Sequence, residues 1–142
     1  MKTIKIGFVG YSISQFDNDT ANKILDSIFK EINEKYPKQE YNVEIVAGGT
    51  ALGIPLLVYR HSIINEYKNI GFMCKQGYNY SLYPCDIIYA IGEHWGDESE
   101  SFIDYIDVLY KIGGGMQSMN EVQLAKNKNK IVYEFDLSKI EG

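Results

Sequence analysis

The sequence predicts an α/β fold in three layers, with a mainly parallel sheet of about six strands between two layers of helices. Three observations carry this. Six strand-like apolar runs alternate with helical patterns along a chain of 142 residues. The runs are nearly continuous in apolar side chains, as expected of strands covered on both faces. Gly10, Gly48, Gly92 and Gly113 stand at the expected carboxyl ends of four of them. In an open α/β sheet that edge is where ligands bind.

Each element has its own signal. Residues 4–9 read as the first strand, ending at Gly10. Residues 18–36 read as a helix, because Ala21, Ile24, Leu25, Ile28, Phe29 and Ile32 recur at helical spacing and Pro37 ends the run. Residues 41–46 form the second strand, ending at Gly48-Gly49. Thr50 is placed to cap a helix running to about residue 67, with Pro55 tolerable near its first turn. Residues 70–73 are a short third strand and 75–84 a tyrosine-rich loop. Residues 86–91 form the fourth strand, followed by a short helix over 97–105 that opens on a capping-box pattern, Asp97-Glu98-Ser99-Glu100. Residues 108–112 form the fifth strand, 119–126 the next helix and 130–135 the last strand. No linker or repeat divides the chain, so residues 1–142 read as a single domain.

Composition narrows the function. A net charge of −5 argues against nucleic acid and against an anionic membrane surface as partners. No window approaches the ~20 apolar residues of a membrane span. The start, Met1 to Ile6, is a lysine-bearing strand pattern rather than a secretory segment. The expectation is a cytoplasmic protein. Cys74 and Cys85 have no metal-ligand or redox spacing and read as buried reduced thiols. No metal or cofactor is expected.

The stretch Gly113-Gly114-Gly115-Met116-Gln117-Ser118-Met119-Asn120-Glu121 carries the most chemistry. Glycines between a strand and a helix leave bare amides at a helix N-terminus, which attract an anion through N–H groups and the helix dipole. One reading is phosphate cradling by residues 114–118; the other is a tight turn needing positive φ. Ser118 and Glu121 match a capping box, which would fold the carboxylate back on the backbone. Alternatively Glu121 is an acid/base or a hydroxyl-binding group.

Four further segments are candidates. Gly10, Tyr11 and Ser12 follow the first strand at the same edge. Gly48, Gly49, Thr50 and Gly53 form a second glycine turn, suited to a sugar or a second phosphate or else to helix packing. Gly92 and Trp95 lie in a glycine-flanked loop where a base could stack on the indole, or where the indole closes the core. Arg60, the only arginine, either is a solvated helix residue or clamps a phosphate, which from two turns into its helix it would reach only across a dimer interface. Tyr78, Tyr80 and Tyr83 suit a lid over a base or a dimer contact. His94 with Glu93 and Asp97 lacks the spacing of a metal site, and His61 reads as a surface or rim residue.

The two glycine turns together resemble the SLOG superfamily, the Rossmann-like group of LOG and DprA-type proteins. LOG proteins carry Pro-Gly-Gly-x-Gly-Thr-x-x-Glu after a strand. Here Gly113 and Gly114 match the paired glycines, Ser118 stands near the Thr and Glu121 near the Glu, with Gly115 as an insertion. Gly49-Thr50-Ala51-Leu52-Gly53-Ile54 matches the Gly-x-Ala-x-Gly-Ile of DprA-like proteins. The resemblance implies a Rossmann-like fold, a nucleotide-type ligand and a homodimer or higher homo-oligomer. LOG enzymes hydrolyse the N-glycosidic bond of nucleoside 5′-monophosphates, and in such an enzyme Glu121 would be catalytic. The departures favour binding over hydrolysis. Ile112 replaces the proline, Gln117-Ser118 replaces Gly-Thr, and residues 78–84 hold no counterpart of the catalytic arginine. Leu52 stands where DprA-like proteins keep a basic residue. The sequence thus points first to a binder, a sensor or sequestering protein for an ADP-ribose-like, cyclic or mononucleotide ligand. A phosphoribohydrolase comes second, and a structural oligomer third.

Overall fold

A computed structural model describes residues 1–13 and 15–140. Six strands form one sheet: β1 (Lys2–Gly10), β2 (Tyr41–Gly48), β3 (Lys68–Met73), β4 (Ile87–Ala90), β5 (Val108–Ile112) and β6 (Ile131–Phe135). Four helices connect them: α1 (Asn18–Lys35), α2 (Gly53–Ile64), α3 (Ser99–Tyr105) and α4 (Met116–Asn127). The strand order is β4-β3-β2-β1-β5-β6, with every neighbouring pair parallel. The chain therefore steps outward from β1 to β4, then returns to lay β5 on the other side of β1. That reversal between β1 and β5 is the topological switch point.

The two faces of the sheet bury different side chains, as strand alternation requires. On one face Ile6, Phe8, Val43, Ile45 and Tyr110 pack under α1 and α2. Phe8 stacks on Phe29 and Tyr110, with ring centroids 5.6 and 5.3 Å apart. Burying one such ring is worth roughly 1.5–3 kcal/mol. On the other face Val9, Val46, Ile70, Phe72 and Leu109 pack under α3 and α4. Helix α1 forms where its periodicity predicts, capped by Asp17, whose carboxylate accepts from Thr20 N at 3.0 Å.

Three helix starts differ from expectation. Thr50 caps nothing: it pairs with Leu82 in an isolated bridge, and α2 begins three residues later behind an extended Leu52. Asp97 does not open α3, because its carboxylate accepts from the amides of Glu93 and His94, both at 2.9 Å. Helix α4 starts at Met116 rather than Met119, with Gly115 as its N-cap and no side-chain cap. The Ser118–Glu121 capping box is thereby excluded, since Ser118 lies inside the first turn and Glu121 in the second. Helix α2 also ends early, because Glu66 adopts a φ of 61° and residues from Lys68 onward join β3. Both cysteines are free thiols, Cys74 buried and Cys85 half-buried.

Candidate functional site

A cavity of about 280 Å³ opens at the carboxyl edge of the sheet. Its floor is apolar: Phe8 and Val9 from β1, Phe72 and Met73 from β3, and Phe102 from α3. Polar groups come from the loops around it. The switch point brings the β1–α1 loop and the β5–α4 turn together at the opening, where residues of both line the cavity, so one ligand can meet both.

Most sequence-predicted residues converge here. Gly10, Tyr11, Ser12, Gly48, Gly49, Thr50, Trp95, Gly115, Met116, Gln117, Ser118 and Glu121 all line the cavity. Gly53, Gly92, Gly113 and Gly114 do not, and their positions explain why. Gly113 and Gly114 form the turn itself, at φ 59° and 105°, a region closed to most side chains. A Cβ on Gly114 would lie 2.6 Å from Ser118 Oγ, whereas one on Gly115 would meet nothing within 4 Å. Gly53 is pressed against the carbonyl of Tyr11, and Gly92 against the Asp97 side chain. Arg60 is exposed on α2, outside the cavity lining.

The decisive local feature is the start of α4. Met119 N donates to Gly115 O at 3.1 Å, the first bond of the helix. The amides of Gly115, Met116, Gln117 and Ser118 donate to no acceptor among the described residues. Every helix leaves such orphans; here they border a cavity, and glycine keeps the approach clear.

Two carboxyl groups share this wall. Glu121 is 6% exposed and accepts a hydrogen bond from Ser99 Oγ at 2.9 Å. Glu98, the residue before α3, is 5% exposed and accepts from Gln117 Nε2 at 3.0 Å. Its Oε2 is buried without a hydrogen-bond partner among the described residues. Burial, helped by the charge of Glu98, pushes the Glu121 carboxyl up to about 7, against the opposing hydrogen bond from Ser99. Burial also raises Glu98. No lysine, arginine or histidine lines the cavity, so backbone amides are its electropositive groups.

The aromatic rim is partly as expected. Trp95 is half exposed on the wall, its ring 5.8 Å from Tyr80 and its amide donating to Gln76 Oε1 at 2.9 Å. Tyr83 instead packs on buried Tyr59 at 4.8 Å, and Tyr78 is exposed. His94 stands on the surface 3.9 Å from Asp97, and His61 is half-buried between α1 and α2, 3.4 Å from Asp26.

Sequence reasoning missed Glu98 and the apolar floor. Phe8, Val9 and Phe72 carry no signal separating a cavity floor from core, because both need apolar strand residues. Glu98 was masked by the apparent capping box around it.

Among the described residues no helix is long and apolar enough to cross a membrane. No family model matches the chain, and no curated protein matches it in sequence. Solved structures do match in fold. The molybdenum cofactor binding protein from the phototrophic bacterium Rippkaea orientalis superposes with a TM-score of 0.77 at 20% identity, over 96% of this chain and 78% of that one. The molybdenum cofactor carrier protein from Chlamydomonas reinhardtii gives 0.74 at 18% identity, over 94% and 76%. TM1055, a structural genomics target, gives 0.72 at 20% identity, over 93% and 72%. The chain thus has the Rossmann-like fold of these proteins, as its resemblance to SLOG proteins implied.

Proposed function

We propose that this protein binds a phosphate-bearing, nucleotide-type small molecule in the switch-point cavity, as a sensor or carrier. The observation that carries the reading is the set of four undonated amides at the start of α4, opening onto about 280 Å³ of space. An anionic group would lie on Gly115–Ser118, polarised by the helix dipole. Gly10, Tyr11 and Ser12 would flank it from the other side of the switch point. The sugar would lie toward Gly49 and Thr50, and a flat ring over the apolar floor, with Trp95 at the rim. The molybdenum cofactor, which one similarly folded protein binds and another carries, is the alternative occupant.

The test is mass spectrometry of small molecules carried through purification and released by heating, with metal analysis of the same sample. A nucleotide supports the reading, and molybdenum with an organic phosphate supports the alternative. In parallel, AMP, cyclic AMP and ADP-ribose are tried for a rise in melting temperature. Ligand at ten times Kd stabilises by about 1.4 kcal/mol. No carried molecule and no shift with any of the three would refute the proposal.

A second reading is hydrolysis of a nucleoside monophosphate. Glu121 favours it: a cavity-wall carboxyl that burial raises to about 7 suits proton transfer. Free base appearing from AMP, and disappearing with Glu121→Ala, would establish the enzyme.

Pairing with a second copy accompanies either reading. Trp95 and Met116 on the cavity lining, and Met119 one turn further along α4, are exposed, and Arg60 lies outside the cavity lining. Light scattering of the purified chain decides this; a monomer removes Arg60 as a clamp.

A further inference from the structure

The cavity presents an electrostatic conflict. Amides that suit an anion sit beside two buried carboxyl groups, and no basic side chain lines the space. If both acids were ionised, an arriving phosphate would meet two negative charges in a poorly screened setting. We propose that the Glu98–Glu121 pair holds a proton when the cavity takes its anionic ligand and serves as a hydrogen-bond donor to it, so that binding is coupled to proton uptake. This rests on the phosphate reading of the same site and adds the part played by the acids.

The geometry supports the assignment from both residues. Glu121 has one oxygen engaged by Ser99 Oγ, which donates to it, and Gln117 Nε2 donates to Glu98 Oε1. The remaining Glu98 oxygen, Oε2, has no partner among the described residues although the residue is 5% exposed. A buried carboxylate oxygen without a donor is costly, and a proton relieves that cost. No nearby charge offsets the pair. Its polar neighbours are Ser99 from α3, Gln117 from α4 and the backbone of Gly96 and Glu98, all uncharged. Asp97, next in sequence, adds negative charge that further raises Glu98. Outside the cavity lining, Lys75 pairs with Glu93 at 2.8 Å and His94 Nδ1 stands 3.9 Å from Asp97. Like-charged acids that cannot both ionise share one proton, as in acid pairs generally.

ADP-ribose is the probe, because its pyrophosphate is a diester with no proton to gain or lose near neutrality. Calorimetry in two buffers of different ionisation enthalpy counts the protons taken up on binding. The expected result is uptake approaching about one proton per ligand above neutrality, with affinity falling toward about tenfold per pH unit. Glu121→Gln fixes a neutral donor in place; it should bind ADP-ribose with nearly pH-independent affinity and exceed the wild type at about pH 8.5. Glu98→Gln is the second variant and should weaken the same dependence. ADP-ribose binding with no proton uptake and a flat pH profile would overturn the inference while leaving the phosphate reading standing. Failure of ADP-ribose, AMP and cyclic AMP alike to bind at any pH would overturn it together with its phosphate premise. The buffer measurement on the wild type needs no variant to fold.

Discussion

The chain makes two glycine-rich strand-to-helix turns at one sheet edge, and they are built to opposite ends. In the turn between β2 and α2, amides are spent inside the protein. Gly49 N donates to Phe72 O at 3.2 Å, Ala51 N to Ser81 O at 2.7 Å and Ile54 N to Tyr11 O at 2.8 Å. In the turn between β5 and α4, the amides of Gly115 to Ser118 have no such acceptors among the described residues. The first is a packing joint that fastens α2 to its neighbouring loops. The second is an open N-terminus held beside a cavity. Glycine content is the same kind of signal in both; what differs is where the N–H groups go.

Gly114→Val tests this contrast with the largest expected effect. Its φ of 105° and the 2.6 Å approach to Ser118 Oγ make any side chain strained. We expect loss of several kcal/mol of stability, of the order of one backbone strain plus one overpacked contact, read as a large fall in melting temperature. Native stability in this variant would show that the turn is not rigid.

Acid burial at the α4 wall gives the next effect. Burial holds the Glu121 carboxyl at about 7 in the folded protein, above its ordinary value of 4.5. The folded protein therefore favours the protonated form. Its contribution is fully present below about pH 4.5 and is lost as pH rises through about 7. The shift corresponds to about 3 kcal/mol as an upper figure. Denaturant titrations should find the wild type losing stability across this window and Glu121→Gln losing much less. A wild-type curve rising over the same interval would contradict a buried, proton-holding acid.

These two sites also mark how far the sequence could be read. The glycine turns and the alternating elements were visible because they rest on local chemistry: backbone freedom and periodic apolar side chains. The start of α4 was misplaced because Gly115 caps without a side chain, so no Ser, Thr or Asp announced it, and Ser118 offered a false cap two residues inside the helix. Moving the start to Met116 carries Glu121 into the second turn, out of reach of any N-terminal amide it could cap. The role of Glu98 depends on Gln117, nineteen positions away, and no local pattern encodes such a pairing. Likewise Phe8 and Phe72 became cavity floor only because the chain reversed direction at β1.

Gly115→Val separates binding from folding at the open turn. Its φ of −100° lies outside the left-handed region that favours glycine, and an added Cβ would meet nothing within 4 Å. Stability should change by less than about 1 kcal/mol. Gly115 lines the cavity beside the free amides, so a bulky side chain there should crowd the ligand and lower nucleotide affinity at least about tenfold, which is ~1.4 kcal/mol. Unchanged affinity, measured by calorimetry with ADP-ribose or AMP, would remove the cradle from the site.

The smallest effect belongs to the closed turn, and it is the sharpest check on the comparison. Thr50 is 5% exposed and touches the cavity, yet it sits in a bridge to Leu82 whose flanking amides are already used. Thr50→Val keeps the shape and removes the hydroxyl. If this turn is mainly a joint, ligand affinity should move by less than about threefold, within ~0.7 kcal/mol. A loss as large as that of Gly115→Val would mean that the hydroxyl meets the ligand as directly as the α4 amides do. The two turns would then act as a paired clamp across the switch point, and the contrast between joint and cradle would no longer hold.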